Sequence, residues 1–408
     1  MLTVKLQHIT EKFSNYFSAR NITEIVDKRT ARTIKKLMKG IIIGGSNKIS
    51  EIGRCQERGQ SKGLSFFYKL KSYYYFYNEA VVDREKLWDA HIETTGKGLG
   101  YYPVIGVDYT AIAKEESEMI ENIQYVYDAR KKHTVKGIKA LVSVGITRTK
   151  GVRILMSKPS SSKEDDYMSE NKEIIEMIKK IESGIDRPVV YAMDRGMDRL
   201  KIFEALLEER IKFLIRIKTG DGSRHLIDVS DERKKPVQWL VRHMHCPYKG
   251  PKVCFRDKIY ETYVGVKKVR IPGRSEPLYL VVSRIPGVST IAILTNMRTE
   301  KGVDVIKRVK EYQERGKVEE TIRFLKSELG METFMLRSWE GLQRMMLILT
   351  LAGDFICWLR RFGGRLVKKI CAFGQTIFEN RKVNFLYYRI RRGMSLIFKI
   401  MLLQYSEP

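Results

Sequence analysis

Cysteine, histidine and proline are scarce in this chain of 408 residues, which contains 5 Cys, 6 His and 10 Pro. The cysteines are irregularly spaced, which indicates a reducing compartment rather than a disulfide framework. The most apolar stretch, Met345 to Gly353, is nine residues long, whereas a membrane-spanning helix needs about 20. The N-terminus shows no apolar run followed by a small-residue cleavage site. We therefore expect neither a membrane span nor a secretory signal.

Acidic residues are also few relative to basic ones, with 48 Asp and Glu against 76 Lys and Arg and a net charge of +28. Residues 1–71 carry 15 basic and 5 acidic residues, and residues 360–408 carry 11 and 2. Two basic ends predict a polyanionic partner, above all a nucleic acid. The alternatives are a basic surface that only prevents aggregation and a surface that contacts anionic lipid. A content of 43% hydrophobic residues excludes a disordered chain and predicts a sizeable core.

Helical patterns fill residues 1–98. The segment from Thr30 to Ile43 has helical apolar spacing and ends at a glycine turn. Ser50 is predicted to cap a short helix that runs through Cys55, and Lys62 to Lys71 is predicted as a further helix that leads into the aromatic run Tyr73 to Tyr77. Helix, glycine turn and basic helix resemble a helix-turn-helix DNA-binding region, although many small helical bundles share this pattern.

The glycine-rich segment from Thr94 to Gly100 predicts the first domain boundary. After it the sequence alternates between strand and helix patterns, which predicts a mixed α/β sheet. The predicted elements are the strand Val104 to Thr110, a hairpin of Lys139 to Thr147 and Val152 to Met156, the helix Ser169 to Ile181, the strand Pro188 to Met193, the helix Met197 to Glu209 and the strand Lys212 to Ile217.

Residues 219–290 contain six of the prolines and alternating β-type runs, which we interpret as an inserted β-rich subdomain. The strand Thr290 to Thr295 leads back, and a helical pattern capped by Asp304 ends at Gly330. The predicted organisation is a helical DNA-binding region (1–98), a core in two parts (99–218 and 291–365), the insertion (219–290) and a basic C-terminal tail (366–408).

Two acidic residues, Asp108 and Asp194, interrupt or end strands that are otherwise apolar. Burying a carboxylate costs several kcal/mol unless a cation compensates it. On neighbouring strands the two could share a divalent ion. Alternatively each caps a turn or pairs with a base, Arg195 in the case of Asp194. Asp198 is a weaker candidate ligand, because it is predicted to lie inside the next helix.

The helical segment YQERGKVEETIRFLK places Tyr312, Arg315, Glu319 and Lys326 at spacings of three, four and seven residues. At about 100° per residue these side chains share an arc of about 60° on one helix face. An aromatic ring, two cations and an acid on one stripe form a surface suited to a metal ion and a phosphate. The apolar stripe before Tyr312 does not align with the later one, which indicates a break near Gly316.

At these residues the sequence resembles the IS-four family of insertion-sequence DDE transposases, whose signature is Tyr-x2-Arg-x3-Glu-x6-Lys. All four signature positions match, and so do GVDYT around Asp108, MDRGMD around Asp194 and FLKSELG after the signature. The resemblance covers roughly residues 102–330. One departure is Gly316, where members of the family often carry Trp.

The resemblance implies a ribonuclease H-like catalytic core in which Asp108, Asp194 and Glu319 hold two Mg²⁺ ions, with Mn²⁺ as a substitute. It places the β-rich insertion between the second and the third acid. It also implies that Arg315 contacts a DNA phosphate with Lys326 as a point charge beside it, and that Tyr312 packs on the sugar or backbone.

The function implied is that of a DNA transposase, which binds the terminal inverted repeats of its element, cleaves the ends and joins the 3′-hydroxyls to target double-stranded DNA. We expect a homodimer, since two ends must be joined, at the nucleoid in a prokaryotic cytoplasm. The alternatives are a ribonuclease H-like nuclease without strand transfer and a catalytically silent DNA-binding derivative. The presence of Asp108, Asp194 and Glu319 argues against the silent derivative.

Other residues with chemical potential have simpler interpretations. Glu320 points about 100° away from the stripe and is expected to be solvated. Arg216 and Lys218 follow a predicted core strand and either line a DNA path or lie at a solvated strand end. A zinc site is an alternative for the cluster His243, His245, Cys246 and Cys254, but its spacing matches no common zinc motif, so we interpret these as ordinary loop residues.

Overall fold

Six helices precede the first strand in the computed structural model, which describes residues 2–56, 64–129, 131–147, 149, 151–255, 258–373 and 386–404. The predicted helix at Thr30 is α3, and Asp27 caps it by accepting hydrogen bonds from the amides of Arg29 and Thr30. The cap predicted at Ser50 is wrong, because Ser50 lies inside α4 after the N-cap Lys48. The helices are α1 (Leu2–Ser18), α2 (Ile22–Ile25), α3 (Lys28–Gly44), α4 (Ile49–Arg54), α5 (Leu64–Asn78) and α6 (Arg84–Gly96).

The aromatic run that follows the predicted helix at residues 62–71 belongs to that helix, since α5 continues to Asn78. Residues 62 and 63, where we predicted its start, lie outside the described residues. The glycine turn after α3 is confirmed, with Gly45 in the left-handed region at φ 65°. A helix-turn-helix function for this region stays a prediction.

The mixed α/β class is confirmed by the elements that follow. Strands β1, β5 and β6 are adjacent and parallel, β3 is antiparallel to β1, and β4 is antiparallel to β3. The sequence did not predict β2, and α8 begins at Leu200 rather than at Met197. The elements are β1 (Val104–Ala113), β2 (Gln124–Asp128), β3 (His133–Ile146), β4 (Val152–Ser160), α7 (Glu170–Gly184), β5 (Val190–Met193), α8 (Leu200–Glu208) and β6 (Lys212–Arg216).

The segment predicted as an inserted subdomain extends the same sheet. The strand order is β2-β3-β1-β5-β6-β14-β13-β12-β7-β8, with β4 on β3, β9 on β12 and a separate β10-β11 pair. The predicted boundary at residue 290 falls within β14, which pairs with β6 of the core. The elements are β7 (His225–Asp228), β8 (Arg233–Pro236), α9 (Val237–Arg242), β9 (Tyr248–Lys249), β10 (Val253–Phe255), β11 (Lys258–Tyr260), β12 (Tyr263–Arg270), β13 (Leu278–Ile285) and β14 (Ser289–Thr295).

The reason for this continuity is the apolar sequence of β13, LYLVVSRI, whose residues are buried at all positions but Arg284. A strand that is apolar on both faces needs cover on both sides, which an interior position in a large sheet provides. The other predicted domain boundaries stay predictions, because one hydrophobic cluster extends from Ile9 to Met401 among the described residues.

Five helices complete the fold. They are α10 (Gly302–Gln313), α11 (Gly316–Glu328), α12 (Trp339–Leu359), α13 (Gly363–Phe373) and α14 (Leu386–Gln404). The predicted basic tail is thus helical where it is described, and residues 374–385 and 405–408 lie outside the described residues.

Helix α12 packs against β4 and α3 in the centre of the molecule. Among the described residues, the stretch Trp339–Phe362 is the one helical segment long and apolar enough to cross a membrane, and 94% of its most apolar window is buried inside the protein. The apolar segment of this helix is therefore longer than the nine-residue run from Met345 that the sequence analysis identified.

A buried ionic network fixes α12 to the rest of the chain. The Asp354 carboxylate is fully buried and accepts hydrogen bonds from Arg153 at 2.7 Å and from Arg20 and Tyr16 at 2.9 Å. Burial alone would raise the pKa of Asp354, but the neighbouring guanidinium groups, Arg153 first, hold it far below its ordinary value. The network joins α1, β4 and α12, so the N-terminal helices and the sheet share one polar anchor.

We predict that Asp354→Asn lowers the free energy of unfolding by about 3–5 kcal/mol, because it leaves two guanidinium groups buried without their counter-charge. A carboxylate whose pKa is depressed in the folded state stabilises the protein above its unfolded pKa of about 3.9 and loses that effect as the pH falls through and below this value. Urea unfolding at neutral pH and below about pH 3.9 checks both statements. The exposed Asp165→Asn is the matched control and should change neither midpoint.

Candidate active site

The first two acids, Asp108 and Asp194, lie at the same level of two neighbouring parallel strands. Val107 of β1 is in register with Met193 of β5, so that Asp108 and Asp194 are each the next residue along the chain. Asp108 lies within β1 opposite Val142 of β3. Asp194 ends β5, and its Oδ1 accepts a hydrogen bond from the amide of Gly196 at 2.6 Å. The parallel register therefore brings two carboxylates that are far apart in sequence side by side.

The third acid approaches from a helix packed on β1. The expected break in the helical pattern is confirmed, since α10 ends at Gln313 and α11 begins at Gly316. The helix comes very close to the strand at Gly106, where an added Cβ would lie 2.0 Å from Cγ2 of Val318. Only glycine at this strand position permits the approach that brings Glu319, the residue after Val318, near Asp108. At Gly316 an added Cβ would have no neighbouring atom within 4 Å, so packing does not require glycine at this position.

One guanidinium group lies among all three carboxylates. Arg315 Nη2 is 2.6 Å from Asp108 Oδ2 and 4.0 Å from Asp194 Oδ2, and its Nη1 is 2.7 Å from Glu319 Oε1. The Arg315 side chain is only 11% exposed. Asp194 has no ion pair with Arg195 in the described part of the chain, so that alternative is not observed. The other alternative, a turn cap, is observed, because the Asp194 side chain caps the turn Arg195–Met197 through the amide of Gly196.

The electrostatics of the site reflect three acids around one cation. Burial, and to a smaller extent the charges of Asp194 and Glu319, raise the pKa of Asp108 to about 6, although Arg315 acts in the opposite direction. Burial alone would lower the pKa of Arg315, but the charges of Asp108 and Glu319 raise it above its ordinary value. The site therefore carries more negative charge than its own arginine neutralises.

This excess charge makes the site chemically suited to a divalent cation. Three carboxylates supply hard oxygen ligands of the kind that Mg²⁺ prefers. Among the described residues, however, no group of three His, Cys, Asp or Glu side chains has the geometry to hold a metal ion directly. The Arg315 guanidinium lies between the acids and is bonded to Asp108 and Glu319. The oxygen ligands of Asp108, Asp194 and Glu319 therefore suit a metal ion by their chemistry, while in this arrangement they neutralise an arginine.

The other two signature residues have different surroundings. Tyr312 is buried, and this burial raises its pKa to about 12. Lys326 Nζ donates a hydrogen bond to the backbone carbonyl of Ala111 and lies 2.8 Å from Glu332 Oε1. Lys326 thus ties α11 to β1 three residues after Asp108. The predicted DNA contacts of Tyr312 and Lys326 stay predictions.

Asp198, the competing acid, has a structural role. It lies in the loop before α8, not inside that helix as predicted, and its carboxylate accepts hydrogen bonds from Arg224 Nε at 2.5 Å and from the amide of Lys218 at 2.9 Å. Arg195, which follows Asp194 in the chain, lines a cavity together with Arg216 and Lys218. A role of Arg216 and Lys218 in a DNA path stays a prediction.

The sequence analysis missed two positions that build the site. Gly106 lies in an apolar run that we predicted as a strand. A glycine inside a strand often marks the close approach of another element, and this could have identified the position. Glu332 has no pattern in the sequence that would have connected it with Lys326.

In the His/Cys cluster, His243 stacks on Trp239 with ring centroids 4.2 Å apart, and its Nδ1 is 2.9 Å from the Trp239 carbonyl oxygen.

Comparison with known proteins gives a family match over the central part of the chain. Residues 100–353 match the family described as "Transposase DDE domain", which is more than half of the chain. Among solved structures, the cryo-EM structure of a piggyBac transposase synaptic complex with hairpin DNA is similar, with a TM-score of 0.48 and 10% sequence identity over 94% of this chain and 74% of that chain. No curated protein sequence matches.

We predict that MgCl₂ raises the thermal unfolding midpoint by about 3 °C relative to EDTA, because a cation that binds only the folded site stabilises it. Differential scanning fluorimetry measures the shift. It should shrink as the pH falls below about 6, where a proton competes for the Asp108 carboxylate. Asp108→Asn should lose the shift, whereas Glu116→Gln, an exposed acid in the loop after β1, should retain it. An equal shift in all three proteins would contradict a cation site at Asp108.

Proposed function

The chain belongs to the transposase DDE domain family, and we propose from this premise that it binds the terminal inverted repeats of an insertion sequence, cleaves the ends and joins the freed 3′-hydroxyls to target DNA. The observation that carries the proposal is the convergence of Asp108, Asp194 and Glu319 on one guanidinium group. Such a cluster is costly to fold and has a ready use in phosphoryl transfer, where it holds metal ions against a phosphate.

The proposed division of labour follows from the contacts of each residue. Asp108, Asp194 and Glu319 would hold two Mg²⁺ ions, or Mn²⁺ in their place, which would supply activation of the attacking oxygen and stabilisation of the leaving one. Arg315, with its five fixed donors, would bind the non-bridging oxygens of the phosphate. Tyr312 and Lys326 are proposed to contact the DNA backbone next to that phosphate. Lys326 would do so through its positive charge, which forms an ion pair with Glu332 in this structure.

The proposed catalytic core is ribonuclease H-like. Its support is the order β4-β3-β1-β5-β6, with β1, β5 and β6 parallel. Asp194 follows the carboxyl end of β5, and Asp108 lies within β1 directly after the part that pairs with β5. Ligand sites of α/β sheets lie at the carboxyl ends of parallel strands. The β7–β13 segment enters between Asp194 and Glu319, which agrees with the insertion implied by the resemblance.

The proposed partner is double-stranded DNA, both at the ends of the element and at the target. The net charge of +28 supports a polyanionic partner. We propose a homodimer for the complex that pairs two ends, acting at the nucleoid in the cytoplasm of a prokaryote.

We predict that Asp108→Asn, Asp194→Asn and Glu319→Gln each reduce end cleavage in Mg²⁺ by at least about 10³-fold, since each removes a carboxylate ligand while keeping the side-chain shape. Binding to end DNA should persist. Gel analysis of labelled DNA that carries the inverted repeats flanking the reading frame gives both quantities. Glu320→Gln, one residue along α11, is the matched control and should cleave normally.

Full cleavage by any of the three variants would refute the assignment of that acid. The same gel separates the nuclease alternative from the proposed function. A transposase joins the cleaved 3′-hydroxyl to a supercoiled target plasmid, whereas a hydrolytic nuclease leaves cleaved ends without joined product.

We predict that Arg315→Ala weakens end processing by about 10²-fold and changes non-specific DNA binding much less, because Arg315 acts at one phosphate while the bulk of the positive charge lies elsewhere. Single-turnover cleavage and filter binding measure the two effects. Arg323→Ala removes an exposed arginine from the same helix and serves as the control. Equal losses in processing and in non-specific binding would count against the role assigned to Arg315.

A further inference from the structure

The surface of α5 is unusually rich in exposed aromatic rings. Phe67 and Tyr68 are each 63% exposed, Tyr74 is 50% exposed and Tyr75 is 44% exposed. Together with the exposed Lys71 they occupy one arc of about 120° on the helix. Core packing does not explain them, because the opposite face of α5 supplies its own buried anchors, Tyr73, Phe76 and Tyr77.

The exposed surface of the neighbouring helix α3 is basic. Apart from Gly44, its exposed residues are Lys28, Arg29, Arg32 and Lys36, which share an arc of about 100°. The opposite face of α3 is buried in the core. This stripe contains four of the 15 basic residues that the sequence places in residues 1–71.

Two contacts hold α3 and α5 side by side. The guanidinium of Arg29, from the basic stripe, lies 5.9 Å from the ring centroid of Tyr75, from the aromatic stripe. Below the surface, Gln56 accepts a hydrogen bond from the hydroxyl of the buried Tyr73 at 3.2 Å and donates one to the backbone carbonyl of Lys36 at 2.6 Å. The basic stripe of α3 therefore meets the aromatic stripe of α5 at Arg29 and Tyr75.

We propose that this surface of α3 and α5 binds single-stranded DNA, with bases stacked on the rings of α5 and phosphates paired with the cations of α3. Flat aromatic rings next to a basic track are the combination that holds unpaired nucleotides, because every base has a π-face and every phosphate a charge. A second protein chain would have no need of four adjacent cations, and paired bases in duplex DNA leave no face for the rings to stack on.

The inference deepens the proposed function and rests on it for its biological setting. Cleavage that frees a 3′-hydroxyl creates a strand end, and base pairs at a strand end open more readily than those inside a duplex. The α3–α5 surface gives nucleotides that become unpaired there a place to bind within the same chain, on elements that contribute none of the three acids.

The test uses the full-length protein and three labelled probes of equal phosphate number: oligothymidylate, a duplex, and an oligomer in which abasic sites replace the bases. Fluorescence anisotropy measures their affinities. Tyr74→Ala combined with Tyr75→Ala should weaken oligothymidylate binding by about tenfold or more and leave the abasic oligomer and the duplex nearly unchanged. Arg32→Ala combined with Lys36→Ala should weaken all three probes and reduce the salt dependence.

Two exposed tyrosines elsewhere provide the matched control. Tyr125 and Tyr127 project from the edge strand β2 with exposures of 70% and 61%, and replacing both with Ala should not change oligothymidylate binding. The proposal is overturned if the α5 variant weakens the abasic oligomer as much as oligothymidylate, or if the β2 variant has the same effect. It is also overturned if the α5 variant loses self-association in sedimentation while it binds oligothymidylate normally.

Asp108→Asn separates this proposal from the proposed function. The variant should lack end cleavage and bind oligothymidylate like the unmodified protein. Cleavage that survives this substitution would refute the catalytic assignment and leave the α3–α5 surface untouched. Conversely, an α5 variant with normal oligothymidylate affinity would refute the surface and leave the acids untouched.

Discussion

Repulsion among three carboxylates is the constraint around which this protein is built. Asp108, Asp194 and Glu319 come from a strand, a strand end and a helix, and nothing in their local sequence favours placing them together. Arg315 reduces the repulsion by lying 2.6 Å from one acid and 2.7 Å from another. The remaining charge still shows in the pKa of Asp108, which burial and the neighbouring acids raise to about 6. The folded chain therefore retains an excess of negative charge at one point of an otherwise basic molecule.

The supports of this cluster explain features that are remote from it. The parallel register of β1 and β5 fixes the first two acids, and the glycine at position 106 admits α11 so that the third can join them. Lys326 then ties the far part of α11 to β1 through the Ala111 carbonyl. Behind the sheet, α12 is held by the Asp354 network to β4 and α1. A repulsive site is thus backed by a rigid frame, which is what preorganisation of charged groups requires.

The sequence predicted the parts of this arrangement that depend on short-range patterns. Strand and helix periodicity located β1, β5, β6 and α11. Of the four signature residues, Arg315 and Glu319 lie with the two strand acids, whereas Tyr312 and Lys326 have other surroundings. The sequence could not reveal that residues 219–290 extend the central sheet, because a strand's periodicity does not specify which strand it pairs with. The sequence also could not predict that the Arg315 side chain contacts the acids. The helical spacing shows which side of the helix Arg315 lies on, but it does not show which residues of other elements lie there. Asp198 was misplaced because a short 3-10 turn at Arg195–Met197 precedes α8, which begins only at Leu200.

The position of Arg315 reconciles the observed geometry with the proposed chemistry. A guanidinium bound to Asp108 and Glu319 occupies the space that metal ions would need, and the family resemblance nevertheless assigns it to a phosphate. Both statements hold if the arginine and the cations alternate. In the arrangement observed, Arg315 offsets the charge of the acids, and under the proposed function bound cations would take over that role. Rotation about the side-chain bonds of Arg315 would release the guanidinium without any change in the backbone of α10 or α11. The released guanidinium would then be available to a phosphate oxygen, so that one residue would serve the acids without metal and the substrate with it.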